Sequence, residues 1–103
     1  MPQWVVIARD GRDAEALERR MKARPAHFER LPAMMARGEL HAGGAMLGDD
    51  GKMCGSVAIV EFPDRAALDA WLAGEPYVTG DVWRDIEIVP FHTAVPEAMR
   101  PRG

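Results

Sequence analysis

The segment CGSVAIVEF, Cys54 to Phe62, is the strongest predicted strand of this chain. Alternate residues of a strand point to opposite faces, so Ser56, Ala58, Val60 and Phe62 share one face and Val57 and Ile59 share the other. Both faces are therefore largely apolar. An antiparallel sheet with one face in water alternates apolar and polar residues instead. The segment thus predicts a sheet that is covered on both of its faces.

Three other segments supply the remaining strands of a four-stranded sheet. They are Gln3 to Ala8 (QWVVIA), Leu40 to Leu47 (LHAGGAML) and Trp83 to Phe91. The first is apolar on both faces, like Cys54 to Phe62. The adjacent glycines Gly43 and Gly44 in the second predict a bulge or a close backbone approach.

A long helical segment lies between the first two strands. Apolar residues recur at helical spacing, and we expect this stripe to face the core: Leu17, Met21, Phe28, Leu31 and Met35. Arg24 occupies the one position that the stripe omits. Pro25 lacks an amide hydrogen and disfavours helix at Arg24. We therefore expect two helices, about 13–23 and 25–37, hinged at Arg24.

Capping residues mark the ends of the helices. Asp13 is predicted as the N-cap of the first helix, and Gly38 as the glycine that ends the second. Asp64 is the predicted N-cap of a helix that runs to Gly74. The segment 75–81 is a connection with room for one helical turn.

The order of elements is β-α-β-β-α-β, which is typical of an α+β ferredoxin-like fold with helices on one face of a four-stranded antiparallel sheet. Two helical units cover only one face. A second copy of the same sheet is the simplest cover for the other, so we expect a homodimer that packs sheet to sheet. We expect one domain over residues 1–92, followed by a C-terminal tail over 93–103.

Composition narrows the class of protein. The chain has 103 residues and a formal net charge of −3, and its 13 basic residues are dispersed among 16 acidic ones, so no nucleic-acid surface is expected. The single cysteine, Cys54, cannot form an intrachain disulfide. The apolar run WVVIA near the start is too short for a signal-peptide core or a membrane span. We expect a cytoplasmic protein.

Motifs for metals and cofactors do not stand out in the sequence. His27, His41 and His92 lack the spacing of a zinc site, and Gly43-Gly44 lacks the lysine of a phosphate-binding loop. We therefore expect no metal and no cofactor. Cys54 has no histidine near it in sequence and is interpreted as a small buried residue rather than a nucleophile.

Arg24 and His27 are the candidate functional residues of the helical segment. An arginine on an apolar stripe either extends to water along its stem or pairs with an anion, such as a substrate carboxylate or phenolate. Histidine exchanges protons near neutral pH and suits general acid–base catalysis, but a structural histidine at the edge of the stripe fits the spacing equally well. Glu75 and Tyr77 add a carboxylate and a phenol, which fit either a site or a solvated loop.

Several motifs in order resemble the YCII-related family, from Gln3 to about His92. They are RPAHFERL, GEL with Gly44 close behind, Gly55-Ser56, Ala70-Trp71, EPYVTGDVW and IVPF. The resemblance implies a dimeric α+β barrel built from ferredoxin-like subunits. It also implies an active site around a histidine–aspartate pair, which corresponds to His27 and Glu75 here. Glutamate instead of aspartate, and Ala45 instead of proline, depart from the family pattern.

The resemblance also implies chemistry. One relative dehydrochlorinates a chlorinated hydroxyhydroquinone, and the wider superfamily includes muconolactone isomerases and cofactor-free monooxygenases. Our first hypothesis is a cofactor-free enzyme for acid–base chemistry on a small oxygenated organic acid or phenol. In it His27 moves the proton, Glu75 orients His27, Arg24 holds the anionic oxygen, and Ser56 and Tyr77 donate hydrogen bonds.

Two alternatives remain open at the level of sequence. One is a non-catalytic dimeric module that binds a small ligand or a protein, with His27 and Glu75 as a structural pair. The other is a monooxygenase-like protein with a wide apolar cavity, for which Trp4, Phe28, Met46 and Trp83 are candidate walls.

Overall fold

The computed structural model describes residues 1–94, so most of the predicted tail 93–103 lies outside the described residues. Seven elements follow one another along the chain: β1 (Gln3–Asp10), α1 (Ala16–Ala36), β2 (Leu40–Leu47), β3 (Met53–Glu61), α2 (Arg65–Ala73), α3 (Pro76–Thr79) and β4 (Trp83–Phe91). Over residues 1–94, no helix is both long and apolar enough to cross a membrane.

The four strands form one antiparallel sheet in the order β2-β3-β1-β4. The two strands that are central, β3 and β1, are those whose sequences are apolar on both faces. Helices cover one face. The predicted ferredoxin-like α+β fold is therefore confirmed, with the short helix α3 in the connection that precedes β4.

The two faces of the sheet differ in what covers them. On the helix-facing side, Trp4, Val6, Ala8 and Val60 are buried in the core. The opposite side, called the open face below, carries six apolar residues of β1, β3 and β4 that the single chain leaves partly or largely accessible: Val5, Ile7, Val57, Ile59, Val89 and Phe91. Both faces are thus apolar, as the strand patterns predict.

The prediction of two helices hinged at Arg24 is wrong, because α1 is a single helix with Pro25 and Pro32 inside it. A proline removes the hydrogen bond to the carbonyl four residues earlier, here those of Met21 and Phe28. Both residues are about half exposed, so water can bind the two carbonyls. Packing of the buried side of α1 then holds the helix together despite the lost bonds.

The helix ends differ in how well they follow the sequence. Asp13 is not the N-cap of α1, which begins after Glu15 without a side-chain cap; the Asp13 carboxylate instead accepts hydrogen bonds from Arg19. Gly38 does end the helix with a φ of +72°, a left-handed conformation that glycine adopts without strain. Asp64 caps α2 as predicted, since its side chain accepts from a first-turn amide.

The predicted core stripe of α1 is also wrong in part. Met21, Phe28 and Met35 are 48%, 47% and 63% exposed, whereas the buried residues of this helix are Ala16, Arg20 and Met34. The inward face is rotated from the apolar stripe by about one residue. A charged side chain, Arg20, lies at the edge of the predicted stripe, three residues after Leu17 and four before Arg24, and it is buried.

Close backbone approach occurs at Gly55 rather than at Gly43 and Gly44. The two adjacent glycines pair regularly with β3, and the irregularities of this pairing lie on either side of them. At Gly55, an added Cβ would lie 2.6 Å from the carbonyl oxygen of Ala8 on the neighbouring strand and would also collide with the Met46 side chain. A side chain at position 55 therefore forces β1 and β3 apart.

We expect Gly55→Ala to lower the free energy of unfolding by about 1–3 kcal/mol, because overpacking against backbone has no cheap relaxation. Gly43→Ala is the matched control: its Cβ would meet nothing closer than 3.5 Å. Urea denaturation of both variants followed by circular dichroism measures the difference. Equal stability of the two variants would contradict the close approach.

Candidate functional site

A cavity of about 430 Å³ lies between α1 and the β2–β3 part of the sheet. Its floor consists of small residues in register: Gly43 lies opposite Ala58, and Ala45 lies opposite Ser56. Ser56 in turn pairs with Ala8 of β1. Because none of these residues carries a long side chain, the space beneath the helix stays open.

His27 lines this cavity, and its Nδ1 contacts the carboxylate oxygen Oε1 of Glu75. The histidine lies in the middle of α1 and the glutamate directly before α3, so the pair joins two elements that are distant in sequence. Glu75 is fully buried. With Nδ1 engaged by the carboxylate, Nε2 is the ring nitrogen left for a ligand.

Glu75 has two further partners that compensate its buried charge. Arg30, one turn after His27, places a guanidinium nitrogen 3.3 Å from the second carboxylate oxygen. The backbone amide of Tyr77 donates to Glu75 at 3.4 Å, which makes the glutamate the N-cap of α3. Both carboxylate oxygens are thus bound, and the orientation of Glu75 toward His27 is constrained from three sides.

Tyr77 forms the wall behind His27. The two rings stack with centroids 4.1 Å apart, and the tyrosine is almost fully buried. Burial raises the pKa of the Tyr77 hydroxyl, against the opposing effect of nearby arginines. The phenol therefore stays protonated at neutral pH and can donate a hydrogen bond.

Ser56 is held by a buried network that the sequence analysis missed. Arg20 forms an ion pair with Asp10, with distances of 3.0 and 3.1 Å, and donates to the Ser56 hydroxyl oxygen at 2.8 Å. The indole of Trp83 donates to the same oxygen at 3.2 Å. A hydroxyl has two acceptor positions and one proton. With both acceptor positions used, Ser56 can only donate.

Two effects act in opposite directions on the pKa of the Asp10 carboxyl. Burial raises the pKa of its carboxyl, and the adjacent Arg20 guanidinium acts to lower it. The signal for this network in the sequence is the spacing of Arg20, Arg24 and His27, which are four and three residues apart and so share a helix face. The apolar stripe beside these three residues dominates the helical pattern, so the pattern alone did not identify the network.

Arg24 also lines the cavity, and its guanidinium lies 4.6 Å from the centre of the Phe28 ring. This is a cation–π contact. No salt bridge to Arg24 occurs within residues 1–94. An anionic ligand can therefore use this guanidinium without displacing a carboxylate.

The structure brings the five predicted site residues together. Arg24, His27, Ser56 and Tyr77 line the cavity, and Glu75 lies behind His27. Of the four candidate apolar walls, Phe28 and Trp83 line it, whereas Trp4 and Met46 do not.

The other residues considered from sequence lie in different surroundings. His41 reaches the cavity, but its Nε2 lies 3.0 Å from Glu61. His92 is exposed. Cys54 is exposed too, so its interpretation as a buried residue is wrong.

Two buried donors near the cavity lack a partner in the described part of the chain. They are Nε of Arg20 and the indole Nε1 of Trp71, and both residues line the cavity. Unpaired buried donors are uncommon because they lose their hydration without compensation.

In the same 94 residues, no three Cys, His, Asp or Glu side chains are grouped as metal ligands.

Comparisons with known proteins agree with this architecture. The sequence profile of the YCII-related domain matches residues 3–92. Protein YciI of Escherichia coli is 34% identical over 94 residues, which cover 85% of this chain and 94% of that protein. An uncharacterized protein of Haemophilus influenzae is 30% identical over the same shares of the two chains.

Two solved structures show the same fold. The 5-chloro-2-hydroxyhydroquinone dehydrochlorinase of Burkholderia phenoliruptrix, in complex with 2,5-dihydroxybenzoquinone, has a TM-score of 0.76 at 20% identity, and the match covers 87% of this chain and 93% of that chain. A dimeric ferredoxin-like protein of unknown function from Jannaschia has a TM-score of 0.55 at 17% identity, covering 90% and 100%. At these identities the likeness concerns the fold.

We expect Arg20→Met to lower the free energy of unfolding by about 3–5 kcal/mol, because Asp10 is left buried without its cation. On α2, Arg65 forms an exposed ion pair with Asp69, so Arg65→Met should change stability little. Urea denaturation compares the two variants. If both variants lose a similar free energy of unfolding, the buried Arg20 network contributes no more to stability than an exposed ion pair.

Proposed function

The chain belongs to the YCII-related family, and from that premise we propose that it is an enzyme that performs acid–base chemistry on a small oxygenated organic acid or phenol. The observation that carries the proposal is the pairing of His27 with the fully buried Glu75 at the wall of a ligand-sized cavity. A buried carboxylate that orients a histidine is the arrangement that general acid–base enzymes use.

His27 moves the proton in this proposal. Glu75 keeps the proton of the neutral imidazole on Nδ1, so Nε2 carries the lone pair that accepts a proton from the substrate. The resulting imidazolium is stabilised by the adjacent carboxylate. The proton then returns to another substrate atom in an isomerisation, or a leaving group departs with its bonding electrons in an elimination. The chain's own side chains supply each of these steps, so we propose no cofactor.

Substrate binding is assigned to the groups around His27. Arg24, which forms no ion pair within residues 1–94, can form a two-point contact with a carboxylate or phenolate. In this proposal, Ser56 and Tyr77 donate hydrogen bonds to an oxygen that gains negative charge during proton transfer.

The relative with dehydrochlorinase activity supports the choice of an oxygenated substrate. Its ligand, 2,5-dihydroxybenzoquinone, is a ring that carries several oxygens. Glu75 stands where the family resemblance implies an aspartate, and its carboxylate reaches His27 despite the extra methylene. The histidine–carboxylate pair therefore keeps its contact across this substitution.

The substrate class is open to a direct screen. Small phenols, hydroxyquinols, lactones and dicarboxylates can be tested by thermal shift against the wild type and His27→Ala in parallel. A class that raises the melting temperature of the wild type and less that of the variant then enters turnover assays. A class that stabilises both proteins equally does not bind at His27.

On the substrate so found, we expect His27→Ala to reduce kcat by at least about 100-fold, which is the lower range for a positioned acid–base group. Glu75→Gln should also reduce kcat, since it removes the charge while it preserves the size and the cap of α3. His92→Ala, at an exposed position outside the cavity, serves as the control. If turnover is unchanged in Glu75→Gln, the His27–Glu75 pair has only a structural role, and a non-catalytic binding module is favoured.

We further propose that residues 1–92 form one domain that assembles as a homodimer through the open face. The six apolar residues of that face are an extended patch of the kind that marks an interaction site in a soluble protein. A second copy covers it with the same surface in an isologous contact. The dimeric fold relative from Jannaschia is consistent with this arrangement.

We expect Ile59→Lys, at the centre of the open face, to convert the protein to a monomer in sedimentation velocity experiments. The charge would be buried without a partner in the interface. Met21→Lys, at an exposed position of α1, should leave the assembly unchanged. Circular dichroism checks that both variants are folded. A dimer that persists in folded Ile59→Lys would place the interface elsewhere.

A further inference from the structure

We propose that the site accepts amphipathic organic anions, in which an acidic oxygen head binds at Arg24 and His27 and an apolar body extends toward the C-terminal end of α1. This inference rests on the proposed function for the position of the head group. It adds the substrate class: a carboxylate or phenolate that carries an alkyl chain or a second ring, rather than a single polar ring.

The charges of the lining select an anion. Among the described residues, the ionisable side chains that line the cavity are Arg20, Arg24, His27, His41 and Tyr77, and none of them is a carboxylate. Arg20 is already neutralised by Asp10, and Glu75 lies behind His27. Arg24 is therefore the cation available to a ligand, and its position fixes the end of the cavity at which a negative head binds.

The size of the cavity exceeds what the head group needs. About 430 Å³ falls in the range of roughly 300–1,000 Å³ that is typical of sites for drug-sized ligands. The lining continues along α1 from His27 to Met34, which is seven residues or about 10 Å of helix. The cavity thus has room for a body beyond the reacting group.

This second part of the cavity is largely apolar, and His41, which pairs with Glu61, is the polar side chain beside Leu40. Its side chains on and near α1 are Leu31, Met34, Met35 and Leu40, and Gly43 and Ala58 form the floor. Methionine side chains are flexible and adapt to ligands of different shape. An apolar body gains free energy in proportion to the area it removes from water here.

The exposed apolar residues of α1 point to the same conclusion. Phe28 and Met35 both line the cavity and are 47% and 63% exposed. Their exposure is unfavourable in the ligand-free chain. A ligand body that lies between α1 and the floor would cover part of both side chains, whereas a single small ring bound at Arg24 and His27 would meet Phe28 but not Met35.

The test is a titration of the full-length protein with benzoate, 4-propylbenzoate and 4-hexylbenzoate by isothermal titration calorimetry. Each fully buried methylene should tighten binding by up to about fourfold. We expect a Kd for 4-hexylbenzoate at least about tenfold below that for benzoate, with one ligand per chain. Gly43→Val narrows the floor beside Leu40 and should abolish most of this difference between the two ligands.

Two further variants separate this inference from the proposed function. Met21→Ala, on the same helix but outside this cavity, should retain the wild-type ratio of the two Kd values. Arg24→Met should weaken all three ligands. Equal affinities for the three benzoates, still dependent on Arg24, would overturn the amphipathic ligand and leave the proposed function standing. If benzoate does not bind, or binds the Arg24→Met variant as tightly as the wild type, the anion site is contradicted and with it both proposals.

Discussion

The buried carboxylate of Glu75 constrains much of the molecule around the cavity. A charge that is removed from water must be compensated by partners within hydrogen-bonding distance. Here the partners come from His27 and Arg30 on α1 and from the amide of Tyr77 on α3. These contacts fix the position of the middle of α1 relative to α3, whose Tyr77 also lines the cavity. The same compensation prepares His27 for proton transfer.

The cavity results from a mismatch between helix and sheet. Beneath α1 the sheet presents Gly43, Ala45, Ser56 and Ala58, which are too small to fill the space under a helix. Protein interiors are otherwise closely packed. The helix does not collapse onto this floor because Arg20 is anchored to Asp10 at one end and Met34 is buried at the other. The open volume is thus built into the fold.

The residue patterns of the strands predicted the sheet well because each strand can be identified from its own residues. The two apolar faces of Cys54 to Phe62 follow from residue spacing alone, and they imply a central strand whatever surrounds it. The helix α1 was harder to predict. Local rules assign a break at Pro25, but packing of a 21-residue helix outweighs the loss of two hydrogen bonds that water can replace.

For the site, motifs along the chain identified the residue types on which the proposed chemistry depends: His27, Arg24 and a carboxylate before Tyr77. Their contact was a matter of tertiary structure, because 48 residues separate His27 from Glu75 and no local spacing reports on such a distance. The role of Arg20 was decided there too. A charged residue is expected at the surface from its type alone. The burial of Arg20 is favourable only because the packing of α1 on β1 brings Asp10 beside it.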